Sequence, residues 1–270
     1  MEERARAKLN LALHILRRRE DGYHDLDTLF AFAEAGDGLR VEPSESLSLR
    51  IEGPFAAALD GEGDNLVLRA ARALRETFGV EAGAALTLDK QLPVAAGLGG
   101  GSADAAAALR LLARFWRLDL GEAALLPLAE TLGADVPACL LSRTLRGEGR
   151  GERLRPVDLG LAGRPLLLVN PGIALATAEI FRRWSPPGSG PLPSDPLEGV
   201  NDLEAPAVAL APAIGELLER LRAAGGAFAR MSGSGATCFA LFDDEAARDR
   251  ASAALAAERP SWWRLATRLT

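Results

Sequence analysis

Cysteine is nearly absent from this chain: Cys139 and Cys238 are the only two among 270 residues, and both sit in apolar surroundings. That excludes a disulfide framework and a cysteine-based zinc site, and it predicts two buried free thiols in a reducing compartment. Excess positive charge is absent as well. A net charge of -6 and a pI near 5.2 exclude the broadly basic surface of a nucleic-acid binder, while leaving room for local basic clusters that hold small anions. No apolar run is long enough to span a bilayer. The run Leu9 to Leu16 follows Arg4, Arg6 and Lys8, but it is short, carries Asn10 and His14, and leads into Arg17 to Asp21 rather than a small-residue cleavage site. It therefore does not read as an export signal. The expectation is a cytoplasmic globular protein that engages neither membrane nor nucleic acid. No internal repeat is present, and the oligomeric state is open, with a homodimer compatible with the sequence. What remains is a 48% hydrophobic chain, enough for one large domain or two of ordinary size.

Glycine is concentrated where it matters most. Gly97, Gly99, Gly100 and Gly101 lie within five positions and open into the alanine-rich stretch Ala103 to Ala108. Glycine lets backbone N-H groups turn toward an anion without an obstructing Cβ, and the first turn of a following helix adds unpaired N-H donors and the positive end of its dipole. Ala84 to Leu92 reads as a strand, so the order is strand, glycine loop, helix: the build of a phosphate cradle. Two other glycine loops are excluded. A Walker A loop requires a lysine before its Ser or Thr, and Gly101-Ser102 has none. A dinucleotide fingerprint requires a third glycine where Ser102 stands, and Asp119, at the right distance, follows a helical stretch rather than a strand.

Residues 7–16 alternate, with Leu9, Leu11, Leu13 and Ile15 on one face and Lys8, Asn10, Ala12 and His14 on the other. This predicts a half-buried strand that places Lys8 and Asn10 roughly 6.6 Å apart on one side, within reach of one ligand. A turn at Asp21-Gly22 and a second strand over Tyr23 to Phe32 complete a hairpin. Helical spacing covers Asn65 to Phe78, Ser102 to Leu118 and Glu122 to Leu132, with breaks at Gly79, Gly121 and Gly133. Glycine and charge between about 145 and 165 suggest a boundary, giving domains 1–155 and 156–270. Beyond it we expect a strand at Leu166 to Asn170, a helix near Thr177 to Trp184, a proline-rich loop from Ser185 to Pro196 and helix from Leu203 to Ala224. Two strands flanking Gly233 and Gly235, a helix from Asp243 to Glu258 and a strand near Trp263 to Leu269 follow. The class is α+β, with helices on one face of an antiparallel sheet in the second half.

Pro93 to Ala103 matches the signature loop of the GHMP small-molecule kinases, and the sequence closely resembles that family. Ala7 to Leu11, Asp21 to Leu26, Gly97 to Ala106, Gly133 to Ala138 and Met231 to Thr237 together resemble the branch acting on 4-diphosphocytidyl-2-C-methyl-D-erythritol, in the methylerythritol phosphate route to isoprenoids. The glycine loop is specific to the superfamily only. Asp21-Gly22-Tyr23-His24 and Gly133 to Pro137 are specific to the branch. The resemblance implies a two-domain GHMP fold, with an N-terminal domain like domain 2 of ribosomal protein S5 and a ferredoxin-like C-terminal domain.

It also implies transfer of the γ-phosphoryl group of ATP to the 2-hydroxyl of that substrate. Asp135 would be the general base and would also touch substrate, with Lys8 beside it stabilising developing charge. Taken alone, Asp135 would read as a helix N-cap. Pro93, Gly97, Leu98, Gly99, Gly100, Gly101, Ser102 and Ala103 would hold the nucleotide, and Asp64-Asn65 would lie near its adenosine. Tyr23 and Phe181 would sandwich the cytosine ring, His24 would bond its edge, Asn10 would contact the sugar alcohol, Arg182 would reach the substrate phosphates, and Gly233 would approach from the second domain. Mg2+ follows from ATP chemistry, with no protein metal-ligand set in view. Asp104 would repel phosphates unless it turns away or helps hold a metal, and the sequence leaves that open. Two alternatives stand beside this reading: another GHMP kinase, acting on mevalonate, homoserine or a sugar, and a non-catalytic nucleotide-binding protein of the same fold.

Overall fold

The computed structural model describes residues 1–59 and 65–270, so that Asp64 lies outside the described residues. The chain forms two compact units that interleave along the sequence. One comprises Met1–Lys8, Ala35–Val94 and Gly99–Ser142; the other comprises Leu9–Glu34, Ala95–Leu98 and Arg143–Thr270. Two long strands, β1 (Glu2–Arg18) and β2 (His24–Glu42), pair with one another and contribute residues to both units. The position between residues 155 and 156 falls inside the second unit.

In the first unit β3 (Leu47–Glu52) runs parallel to β4 (Ala84–Asp89), connected through α1 (Leu66–Phe78), and β4 pairs antiparallel with the second half of β2. The parallel pair requires a crossover, and α1 supplies it. Asn65 caps α1 by accepting from the Val67 N-H at 2.8 Å, and Gly79 closes it with φ 65°. After β4 comes α2 (Gly100–Phe115), followed by α3 (Glu122–Leu132) and α4 (Val136–Leu141). Ala103 and Ala105 to Ala108 are all buried in α2, which packs against α1, α3 and α4. Small side chains on successive positions let several helices approach one helix closely.

In the second unit the first half of β2 pairs with β5 (Leu145–Gly149), and β5 with β6 (Arg153–Pro156). The glycine-rich stretch read as a boundary is therefore a β-hairpin. Its glycines have packing and backbone reasons: a Cβ on Gly147 would meet the Phe30 ring at 2.7 Å, and Gly151 turns with φ 105°. A four-stranded antiparallel sheet then forms in the order β10–β7–β9–β8, from β7 (Pro165–Asn170), β8 (Phe228–Met231), β9 (Cys238–Leu241) and β10 (Trp263–Arg268). Helices α5 (Thr177–Arg183), α6 (Glu204–Leu210), α7 (Ala213–Ala223) and α8 (Glu245–Glu258) complete the unit. Its core includes Leu167, Val169, Ile214, Leu217, Leu221, Phe242 and Leu255. The expected single helix over 203–224 is two helices, separated at Ala211-Pro212, because proline lacks the N-H and clashes with the preceding turn.

Strand β1 departs from its half-buried expectation: Lys8, Asn10 and His14 are buried along with the leucines. Buried polar side chains persist where they are paired. Thus His14 donates from Nδ1 to the Gly190 carbonyl and accepts the Val200 N-H on Nε2, while Asn10 donates to Thr28 Oγ1. Cys139 and Cys238 are buried free thiols, with burial pushing both up from the usual thiol range. No helix among the described residues is long and apolar enough to cross a membrane.

Candidate active site

The glycine loop leaves the end of β4 and enters α2 through backbone turned to the left-handed side at Ala95, Gly97 and Gly99, with φ of 52°, 77° and 61°. Gly99 caps α2 with no side-chain hydrogen bond, and the first intrahelical bond runs from the Ala103 N-H to the Gly99 carbonyl at 2.8 Å. The N-H groups of Gly100, Gly101 and Ser102 thus begin the helix without intrahelical acceptors, the arrangement that complements an anion. Ser102 is the third helical residue, on the first turn and not at the cap; Gly101 is exposed, and Leu98 and Ala103 are buried. Pro93 stands at the loop's entry, half-buried.

Directly beside the loop in the first unit, Lys8 Nζ lies 3.2 Å from Asp135 Oδ2. A Cβ on Gly99 would come within 3.0 Å of Lys8 Cε and 3.8 Å of Asp135 Oδ2. Asp135 stands at the N-terminus of α4 but makes no side-chain capping bond, so its carboxylate is given to Lys8 instead of to the helix. The lysine is buried and the carboxylate is partly exposed, which leaves the carboxylate accessible and the ammonium fixed.

A second charged cluster lies under the loop, and it was not legible in the sequence. Lys90, just past β4, donates to Asp37 Oδ2 at 2.5 Å and to Asp104 Oδ2 at 2.8 Å, with all three side chains buried. Asp104 therefore points inward to an ammonium. Burial pushes its carboxyl up most, Lys90 pulls it down and Asp37 pushes it up again, leaving it at about 7. For Lys90, burial pulls down, but the two aspartates outweigh it and hold the ammonium above its ordinary value.

In the second unit a Cβ on Gly97 would meet the Ser232 carbonyl oxygen at 2.2 Å, and Ser232 Oγ donates to the Gly97 carbonyl at 2.8 Å. The same hydroxyl accepts the Asn10 N-H at 3.2 Å. A Cβ on Gly233 would lie 3.3 Å from Asn10 Oδ1, and Asn201 Nδ2 donates to the Gly233 and Met231 carbonyls. Ser232 and Asn201 thus tie the segment between β8 and β9 to β1 and to Gly97. The motif Met231 to Thr237 drew notice for its glycines, whereas the work of positioning falls to side chains between and beyond them.

The same unit gathers aromatic rings around His24. Its centroid is 5.0 Å from Phe181 and 5.7 Å from Trp184, the latter edge-on. Burial first, and the Arg18 guanidinium second, hold His24 below the usual imidazole range. Arg18 Nε donates to His24 Nε2 at 3.4 Å, which assigns the proton of the neutral ring to Nδ1. Tyr23 is exposed, with the Arg150 guanidinium 5.3 Å from its ring centroid. Arg182 is exposed and paired with Glu179 at 2.6 Å. Asn65 serves as the cap of α1. Trp184 and Arg18 carried no sequence signal, since one follows a helix and the other sits in an arginine run that reads as a solvated turn.

Comparison with known proteins places the chain in a family. The model of the GHMP kinase N-terminal domain matches residues 65–143, and that of the C-terminal domain matches 194–260. A 4-diphosphocytidyl-2-C-methyl-D-erythritol kinase of Rhizorhabdus wittichii is 57% identical over 99% of this chain and 94% of its own length. A protein of the same name from Parvibaculum lavamentivorans is 50% identical over 97% of this chain and 95% of its own. Among solved structures, a crystal structure of 4-(cytidine 5'-diphospho)-2C-methyl-D-erythritol kinase superposes with a TM-score of 0.86, at 39% identity, covering 100% of this chain and 99% of that one. A homoserine kinase from Cytophaga hutchinsonii, at 18% identity and a TM-score of 0.68, shares the fold.

Proposed function

Because this chain belongs to the GHMP kinases, and within them to the 4-diphosphocytidyl-2-C-methyl-D-erythritol kinase family, we propose that it transfers the γ-phosphoryl group of ATP to the 2-hydroxyl of that diphosphocytidyl alcohol. The α+β two-domain fold is that of the family. The observation that carries the mechanism is the adjacency of the Lys8–Asp135 pair to Gly99, at the mouth of an uncapped helix. It supports a single arrangement in which backbone donors receive the phosphates and a partly exposed carboxylate stands beside the loop.

The first turn of α2 fits a nucleotide polyphosphate. Its backbone N-H groups complement phosphate oxygens, and no side chain competes for them. Gly97, Gly99, Gly100, Gly101 and Ser102 bind the phosphates through these donors, with Pro93, Leu98 and Ala103 shaping the loop and Asn65 bordering the adenosine. Asp135 accepts the hydrogen bond of the acceptor hydroxyl and takes its proton as the new O–P bond forms and the bond from the γ-phosphorus to the bridging oxygen breaks, ADP leaving with that oxygen. Lys8 fixes the carboxylate and presents positive charge to the transferring group. Such transfers run through a loose transition state, so alignment and electrostatics outweigh base strength. Mg2+ bound with ATP would supply charge neutralisation for the phosphates, and among the described residues no cluster of acidic, histidine or cysteine side chains is assigned to hold it.

The acceptor's base calls for a flat, apolar place with a polar edge. His24, Phe181 and Trp184 provide rings, and the Nδ1-H of His24 provides a donor. Tyr23 closes on the base from its exposed position, Arg182 leaves Glu179 for the substrate phosphates, and Asn10 and Gly233 contact the sugar alcohol. A cytoplasmic location follows from the use of ATP. The test is NMR of the product made from ATP and the diphosphocytidyl alcohol. Phosphorus on the carbon-2 oxygen is expected, and phosphorus on any other hydroxyl contradicts the acceptor assignment.

A further inference from the structure

The cluster of Lys90, Asp37 and Asp104 has two carboxylates to one ammonium, and the two are not held alike. Asp37 receives three donors: Lys90 Nζ and the N-H groups of Gln91 and Leu92, at 2.5, 2.6 and 2.8 Å. Among the described residues Asp104 receives one, from Lys90 at 2.8 Å, and its Oδ1 is buried with no hydrogen-bond partner there. A buried carboxylate oxygen without a donor costs more when the group is ionised than when it is protonated. Of the two acids, Asp104 is therefore the one that takes up a proton more readily.

Its position gives that proton a use. Asp104 lies one turn beyond Gly100 on the same face of α2, and a Cβ on Gly100 would come to 3.1 Å from Lys90 Nζ and 3.7 Å from Asp37 Oδ2. The cluster thus sits beneath the first residue of the phosphate-binding turn. With both acids ionised it carries a net negative charge at the place where a polyphosphate must bind. Burial weakens screening between such charges.

The charged groups that face Asp104 are Lys90, just past β4, and Asp37, on β2. On α4, Cys139 is the titratable neighbour, itself held up by burial and by Asp135. Helices α1 and α3 turn apolar residues inward, Val67, Ala71 and Leu74 on one and Leu125, Ala129 and Leu132 on the other. Lys8, on β1, is committed to Asp135.

We propose that Asp104 links nucleotide binding to proton uptake: occupation of the glycine loop by a polyphosphate drives a proton from solvent onto Asp104, and an alkaline medium accordingly weakens nucleotide binding. The proposal rests on the reading of the loop as a nucleotide cradle. The direction follows from charge alone, since a nearby anion disfavours the ionised form of an acid. The rest state supports it, because a carboxyl at about 7 is poised to respond near neutrality.

The test is calorimetric titration of the full chain with the β,γ-imido analogue of ATP and Mg2+ at about pH 8, in buffers of different ionisation enthalpy. The expected result is an apparent binding enthalpy that varies with the buffer in the sense of proton uptake, with that excess lost in Asp104→Asn. Asparagine keeps the acceptor to Lys90 and cannot titrate. In the wild-type chain the carbon-13 carboxyl resonance of Asp104 moves to the protonated position on adding the analogue, a readout that does not depend on the variant folding. Binding with a buffer-independent enthalpy, an equal excess in Asp104→Asn, or an unmoved resonance overturns the proposal and leaves the cradle intact. Absence of binding overturns both.

Discussion

Lys8 Nζ is held 3.2 Å from Asp135 Oδ2, the lysine side chain 5% exposed and the carboxylate 36%. One member of the pair is locked into strand β1 and the other can meet a substrate. Their closeness to Gly99 places the pair beside the start of α2 within one compact unit.

Asp135→Asn keeps the shape and hydrogen-bonding reach of the side chain and removes its proton acceptor. The expected result is a fall in kcat of about 10²–10⁴-fold, the span of a general base, with little change in nucleotide Kd. Lys8→Met is expected to fall as far, because charge placement carries as much of such a transfer as basicity. Steady-state kinetics with a separate nucleotide-binding titration checks both. Turnover of Asp135→Asn within about tenfold of the parent removes Asp135 from the base role.

Phe181 packs against His24. Phe181→Ala is expected to raise KM for the cytidine acceptor by roughly 5–150-fold, given about 1–3 kcal/mol per stacked base, and to leave KM for ATP unchanged. Equal effects on both substrates contradict the stacking assignment.

Gly97 combines φ 77° with the Ser232 carbonyl oxygen 2.2 Å from any added Cβ. Gly97→Ala meets both the left-handed penalty of about 1–2 kcal/mol and a backbone clash that no side chain can relieve. Gly160→Ala meets the first alone, since its φ is 63° and nothing lies within 4 Å of its Cβ. Thermal unfolding is expected to rank them, with Gly97→Ala losing clearly more than the roughly 2–4 °C that each kcal/mol brings in a chain of this size. Equal losses contradict the packing account.

Asp104 has its carboxyl raised to about 7, chiefly by burial. The folded state therefore keeps a proton that the unfolded chain releases at ordinary carboxylate pH. Stability linked to this group is full below the ordinary range and is lost as pH climbs toward 7. Asp104→Asn does not titrate, so its Tm relative to the parent is expected to rise between about pH 4 and 7 and then level off. Scanning calorimetry across that range checks it, and a difference that is flat or falls with pH contradicts the assignment.

Much of this was legible because local chemistry leaves local marks. The glycine loop, α1 with its break at Gly79, α3 and the sheet strands around Gly233 all follow from periodicity and from residues with restricted roles. The lost details depend on distant partners. Strand β2 runs ten residues past Phe32 because its second half pairs with β4, and β3 went unread although it pairs with β4 in parallel. Lys90 finds Asp37 across 53 positions, and Ser232 finds Asn10 across 222. A polar residue at the end of a strand gives no sign of which buried acid it will meet. Likewise the glycines at 147, 149 and 151 signal a linker as readily as a tight hairpin, and the pairing of β5 with β6 decides between them.

The measurement that bears most directly on the central claim is an ADP-release assay with ATP and Mg2+ across a panel of acceptors: the diphosphocytidyl methylerythritol, mevalonate, homoserine and galactose. The account predicts turnover with the cytidine compound alone, abolished in Asp135→Asn. Turnover with another acceptor in its place, or none with the cytidine compound while ATP still binds, would contradict it.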